Sequence, residues 1–155
     1  MKTKIKFSIA CLMAISSVFL YSCENNEEGD TVKPVINLIE PKEGDVLKIG
    51  DENGIHFDME LSDNVMLKSY KVEIHSNFNG HVHARSTAST VDFTFNKSWD
   101  ISQKNASIHH HEIKIPANAT PGNYHLMVFC TDAAGNESHI ARNIVLSNTG
   151  KEHEH

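Results

Sequence analysis

Eleven histidines in 155 residues are the side chains best suited to do chemistry in this chain. Neutral imidazole is the commonest protein ligand for zinc, copper and nickel. The histidines fall into groups. His81 and His83 stand one residue apart in FNGHVHARS, behind an Asn-Gly turn. A pair at i and i+2 projects together and can share one ion. His109, His110 and His111 are consecutive, so a strand cannot turn all three to one face. His153 and His155 alternate with glutamates in the terminal KEHEH. A structural zinc site takes four ligands, with nitrogens at about 2.0–2.1 Å. No group meets that by itself, and histidines on hairpins are most often simply solvated. The fold must therefore decide which of them meet.

The elements that carry them read as strands. From Lys33 onward helical periodicity is almost absent and period-two alternation recurs. PVINLIEP is predicted as a first strand, ended by the turn KEGD. Over 55–61, Phe57, Met59 and Leu61 face inward while His56, Asp58 and Glu60 face out. Over 70–75, Tyr70, Val72 and Ile74 face inward. VDFTFNKSW places Val91, Phe93 and Phe95 on one face, and HHEIKIP supplies a fifth strand over 111–115. Strands over 123–130 and 140–146 complete the set. Seven short strands with Gly, Asn, Asp and Pro turns predict an all-β fold, an immunoglobulin-like antiparallel β-sandwich. Within PGNYHLMVFCTDAAGNES, Tyr124 is placed to return its hydroxyl to the preceding turn, as in a tyrosine corner. Gly135 is free to take positive φ, and Cys130 reads as a small buried hydrophobe.

In such a sandwich the strands at 70–75, 123–130 and 140–146 share one sheet, and those at 55–61 and 111–115 share the other. His75 then ends its strand beside His125, with opposed Cβ atoms about 5 Å apart. The GHVH segment leaves from the same place. The leading expectation is a zinc or copper site made by His75, His81, His83 and His125. A secondary set, His109, His110, His111 and His139, is expected at the other end of the sandwich with Asp63 and Asp132. His153 and His155 form a loose chelating tail. Asp63-Asn64 and Asp132 to Asn136 suit turn chemistry better than calcium. Trp99, with Phe93 and Phe95 nearby, fits the rim of the core better than a carbohydrate platform. There is no glycine-framed serine and no marked cleft for paired carboxylates. The expected activity is binding, not catalysis.

The ends of the chain bear on location. Residues 1–22 carry Lys2, Lys4 and Lys6 before an uncharged apolar run, the pattern of a signal peptide. Leu20-Tyr21-Ser22-Cys23 resembles a bacterial lipobox, which makes Cys23 the acylated first residue of the mature protein. Several acyl chains anchor stably, each buried methylene contributing about 0.8 kcal/mol. Residues 23–32 form an acidic tether, 33–148 the sandwich domain and 149–155 a His/Glu-rich tail. ENNEEGD resembles the acidic export signal of Bacteroidota surface lipoproteins, and Asp30-Thr31-Val32 an O-glycosylation motif of the same phylum. Cleavage before Cys23 takes the net charge from −6 to −9, by loss of three lysines (−6 − 3). That acidity excludes nucleic acid as a partner, since such partners need a basic footprint. Cleavage also removes Cys11, so Cys130 has no partner for an internal disulfide.

GHVH, HEIKIP, PGNYHL and TDAAGNE together resemble an uncharacterised domain-of-unknown-function family of Bacteroidota lipoproteins with an Ig-like domain, over about residues 33–147. The resemblance implies the sandwich fold and an envelope location, and no chemistry. The expectation is a lipid-anchored, monomeric binding protein of the outer membrane, facing the cell surface or the periplasm, with a transition metal as ligand. The alternative is an adhesion module that binds a protein or glycan for a neighbouring outer-membrane complex.

Overall fold

The computed structural model describes residues 29–78 and 89–150. They form eight strands: β1 (Val35–Glu40), β2 (Val46–Lys48), β3 (Phe57–Ser62), β4 (Leu67–Ser76), β5 (Phe95–Asp100), β6 (Asn105–His110), β7 (Gly122–Asp132) and β8 (Glu137–Ser147). One sheet has the order β1-β3-β6 and the other β2-β8-β7-β4-β5. Neighbours pair antiparallel, except that β2 runs parallel to β8. This is an all-β sandwich, and its sheets divide the strands at 55–61, 70–75, 123–130 and 140–146 as expected.

Alternation explains the core. Phe57, Met59 and Leu61 of β3 face Val72 and Ile74 of β4 and Leu126 and Val128 of β7, all at most 2% exposed. Burying each such side chain contributes about 1.5–3 kcal/mol. Cys130 is buried among them as expected. Burial and the nearby Asp63 and Asp132 carboxylates push its thiol up to about 11. Tyr124, fully buried, donates its hydroxyl to the Thr120 carbonyl at 2.8 Å and accepts from the Phe93 amide at 3.2 Å. The tyrosine corner is therefore present, with a second hydrogen bond that ties in the approach to β5.

Three elements differ from the reading of the sequence. β2 is an eighth strand, and three residues are too few for alternation to show. The strand expected over 111–115 lies instead at Asn105–His110, pairing Met59 with Ile108 and Leu61 with Ala106. NASIHH holds one large aliphatic residue, so its pattern is faint. The alternation at 111–115 is real burial without a strand: Ile113 and Ile115 are buried, and their carbonyls accept from the Ile55 and Gly50 amides. Val91 is 57% exposed in an isolated bridge to Ala119, while Phe93 is buried and Phe95 partly so. The three do not share a face because β5 begins only at Phe95.

The pairings define two ends. The lead-in to β1, the end of β3, the start of β4 and the β7–β8 hairpin gather at one end. The start of β3, the end of β4, the end of β6 and the start of β7 gather at the other.

Candidate functional site

The end where β6 finishes carries one of two groups of three metal-ligating side chains among the described residues. Ring nitrogens of His56, His109 and His111 all lie within 4.8 Å of one another. The three rings meet edge to face, with centroids 4.7, 5.1 and 5.4 Å apart. Register explains the meeting. Phe57 opposes His110 and Asp58 opposes His109, so the next step outward sets His56 opposite His111. Opposed residues share a face and successive ones alternate, so His56, Asp58, His109 and His111 all point to the outer face of the three-stranded sheet. Gly54 brings the lead-in of His56 against His111. At its φ of 82°, a Cβ there would stand 2.1 Å from the His111 carbonyl oxygen.

The same alternation turns His110 inward. Its ring stacks between Phe57 and Trp99, with centroids at 4.9 and 5.1 Å. Its Nδ1 accepts from the Glu112 amide at 3.4 Å, and its Nε2 is buried without a hydrogen-bond partner. Burial holds its pKa below the ordinary imidazole value, against the opposing pull of Glu112. Trp99 also stacks on Tyr70, and its Nε1 donates to Glu112, which pairs with Lys97. Trp99 is thus a rim residue, as expected, and its ring is engaged by Tyr70, His110 and the Lys97 ammonium, which lies 4.9 Å over it.

Negative charge lies beside the three imidazoles. Glu40 opposes Asp58 across β1 and β3. A hydrogen bond from Lys42 at 2.8 Å, aided by the fields of Lys42 and His56, keeps the Glu40 carboxyl below its usual value. Three imidazoles at one point leave the remaining position of a four-coordinate ion open, the arrangement of zinc sites that bind an exchangeable ligand.

The sequence-predicted residues divide as follows. His75 and His125 are directly opposed on β4 and β7, their ring centroids 5.5 Å apart, as expected. Asn77 Nδ2 donates to His125 Nε2 at 2.7 Å, which occupies one of its two nitrogens. His81 and His83 lie outside the described residues, as do Cys23, His153 and His155. The expected grouping of His109, His110, His111 and His139 with Asp63 and Asp132 is not what forms. Because the strand ends at these histidines instead of starting with them, they sit at the end opposite Asp63 and Asp132. His139 stays at the aspartate end, against Phe129 at 5.8 Å. Sequence reasoning placed His56 on the outer face but did not bring it together with His109 and His111 as a candidate ligand. The strand mistakenly placed at 111–115 hid its partners.

The fold and this site define a β-sandwich domain with clustered donor groups at its ends. The chain belongs to the family described as domain of unknown function DUF4625, which matches residues 21–147. No curated protein matches it. Among solved structures it is similar to catalytically inactive OgpA from Akkermansia muciniphila in complex with an O-glycopeptide (glycodrosocin) substrate. The identity is 13% and the TM-score 0.44, over 79% of this chain and 32% of that one. The chain thus spans about a third of the length of that structure's chain.

Proposed function

We propose that this domain is a lipid-anchored, non-enzymatic binding module of the outer membrane that holds a zinc or copper ion through His56, His109 and His111. The carrying observation is the convergence of three ring nitrogens within 4.8 Å on an outward face. Tetrahedral zinc at about 2.0–2.1 Å from each nitrogen needs them about 3.4 Å apart. Small rotations of partly exposed rings cover the difference. Imidazole nitrogens favour copper over zinc at equal availability, so the environment selects the ion. The lipobox at Cys23 supports the anchor, and the acidic run after it supports an outward-facing position. The opposed pair His75 and His125 supports a second reading, in which His81 and His83 complete a separate site at the same end.

The test is a zinc titration followed by calorimetry and thermal melting. An ion that binds only the folded chain stabilises it by about 2.7 kcal/mol at a hundredfold excess over Kd. The His109→Ala, His111→Ala double variant is expected to lose that stabilisation, and truncation after Gly150 to keep it. Coordination needs unprotonated imidazole, so the effect falls away in acid. A zinc-induced shift that survives the double variant and disappears with His81→Ala, His83→Ala favours the second reading. No shift at all leaves the protein- or glycan-binding module.

A further inference from the structure

We propose that the opposite end of the sandwich binds a calcium ion through Asp30, Asp63 and Asp132, and that this ion clamps the lead-in segment onto the domain. One carboxylate oxygen from each residue lies within 4.8 Å of the other two. Oxygens on a calcium ion sit at 2.3–2.6 Å, so two of them span at most about 4.6–5.2 Å. Three oxygens around one ion at those distances stand at most about 4.5 Å apart, so carboxylates that already lie within 4.8 Å of one another reach a shared ion with small side-chain rotations.

A second observation comes from Asp63 by itself. Its side chain is 7% exposed. Oδ2 closes the β3–β4 turn by accepting from the Val65 and Met66 amides, both at 2.8 Å. Oδ1 is enclosed and receives no hydrogen bond. A buried carboxylate oxygen without a donor is costly, and two more carboxylates beside it add repulsion. Asp132 is 0% exposed. Burial raises its pKa, but hydrogen bonds from the Asn136 side chain and from the Asn136, Gly135 and Ala134 amides outweigh that, so it stays ionised. Turn chemistry therefore accounts for Asp63 Oδ2 and Asp132 Oδ1 and leaves Asp63 Oδ1 unexplained. The lysine ion pairs at Glu40, Glu73 and Glu112 lie elsewhere on the molecule.

The remaining groups position the site without neutralising it. Asn136 Nδ2 donates to Asp132 Oδ2 at 2.7 Å and to the Asp30 carbonyl at 2.9 Å, and Asn64 Nδ2 donates to Asp30 Oδ1 at 2.9 Å. These amides are neutral dipoles beside three negative charges. The carboxylates supply only hard oxygen donors, which suits calcium and not the ions that imidazole attracts. Magnesium demands strict octahedral geometry and dehydrates reluctantly, so enclosed carboxylates disfavour it. Asp30 lies before β1, while Asp63 and Asp132 belong to the β3–β4 turn and the β7–β8 hairpin. One ion would therefore fix how the sandwich sits on the chain that precedes it.

The experiment is a calcium chloride titration of the purified full chain, read by thermal melting and calorimetry, with magnesium chloride in parallel. Calcium is expected to raise Tm in a concentration-dependent way and magnesium to do so far less. Asp30→Asn keeps an oxygen to accept from the Asn64 and Val32 N–H groups and relieves the carboxylate repulsion, so it is expected not to lower the calcium-free Tm. It is expected to lose at least about tenfold in calcium affinity, because affinity follows ligand charge. Asp63→Asn, which keeps an acceptor for the turn, is expected to do the same; if it fails to fold, Asp30→Asn decides. Calcium is also expected to slow proteolysis between Cys23 and Val35. The proposal is overturned if calcium leaves Tm unchanged. It is equally overturned if the shift persists at full strength in Asp30→Asn, which would assign the ion to the glutamates Glu24, Glu27 and Glu28.

Discussion

Replacing Tyr124 by Phe removes one oxygen and leaves the ring. The ring contacts with Phe78 and Phe93, at 5.3 and 6.5 Å between centroids, need no hydroxyl. The oxygen makes two hydrogen bonds: it donates to the Thr120 carbonyl and accepts from the Phe93 amide. A tyrosine corner with one bond would lose about 0.5–1.5 kcal/mol net. Here the change also leaves the Phe93 N–H, on a buried residue, without its acceptor, and an orphaned buried donor costs about 1–3 kcal/mol. The expected loss is therefore about 1.5–3 kcal/mol. For a domain of this size that lowers Tm by roughly 3–6 °C per kcal/mol. Urea unfolding of parent and variant gives the difference directly, and an unchanged m-value would show that only stability moved. A loss below about 0.5 kcal/mol would mean that water or backbone relaxation satisfies the Phe93 amide, and the corner would then hold nothing together.

Val72→Asp is expected to abolish cooperative melting. Val72 is 0% exposed on β4, flanked by β7 and β5, and an unpaired carboxylate cannot be carried there. A soluble variant with a sharp transition would refute that placement. Acid is expected to destabilise the fold through His110. Its folded pKa is depressed by burial between Phe57 and Trp99, so the unfolded chain takes up the proton first. This contribution is intact above the unfolded value of about 6.5 and is lost as pH falls below it. His110→Phe should lose less stability than the parent between pH 7.5 and 5.5, by urea midpoints; equal losses would refute the assignment. Cys23→Ser should release the protein from membranes, and persistence in a high-salt membrane fraction would sink the lipid anchor.

What was legible in the sequence is what period-two alternation writes plainly. β3, β4 and β7 bury one side chain in two, and the inward residues of β3 and β4 stand out because a slip of one residue would bury Asp58 and Glu60 or Lys71 and Glu73. The tyrosine corner was legible because Pro121-Gly122 fixes the turn and Tyr124 follows at the right distance. β6 was not, since the residues NASIHH turns inward are Ala106, Ile108 and His110, and only one of them is a large aliphatic side chain, leaving too little contrast. The cost of that one misplacement was large. It put His109 and His111 at the wrong end of the sandwich and kept His56 from being recognised beside them. The Asp63 and Asp132 turns were read correctly as turns. Their convergence with Asp30 could not be read, because it joins residues 33 to 102 positions apart through the packing of two sheets.

The separation of the two donor groups has a consequence for what the molecule can do. His56 and Asp63 bracket β3, seven residues apart, which is about 23 Å of extended strand. The soft-donor and hard-donor groups therefore share no side chain and no contact, and substitutions at one should leave the other's affinity unchanged. Their order along the chain also sets an orientation. Asp30 follows Cys23 by seven residues, a reach of at most about 25 Å. Under the proposed lipid anchor at Cys23, the aspartate end is the one tethered nearer the bilayer. Calcium at the near end would hold the sandwich upright on its tether, and the imidazoles at the far end would meet incoming ligand. A fluorescent label at Ser107, on the exposed outer face of β6, tests this: on vesicles carrying the lipidated protein, calcium should make its distance to the bilayer larger and more uniform. An unchanged distance distribution would mean that the tether, not the ion, sets how the domain stands.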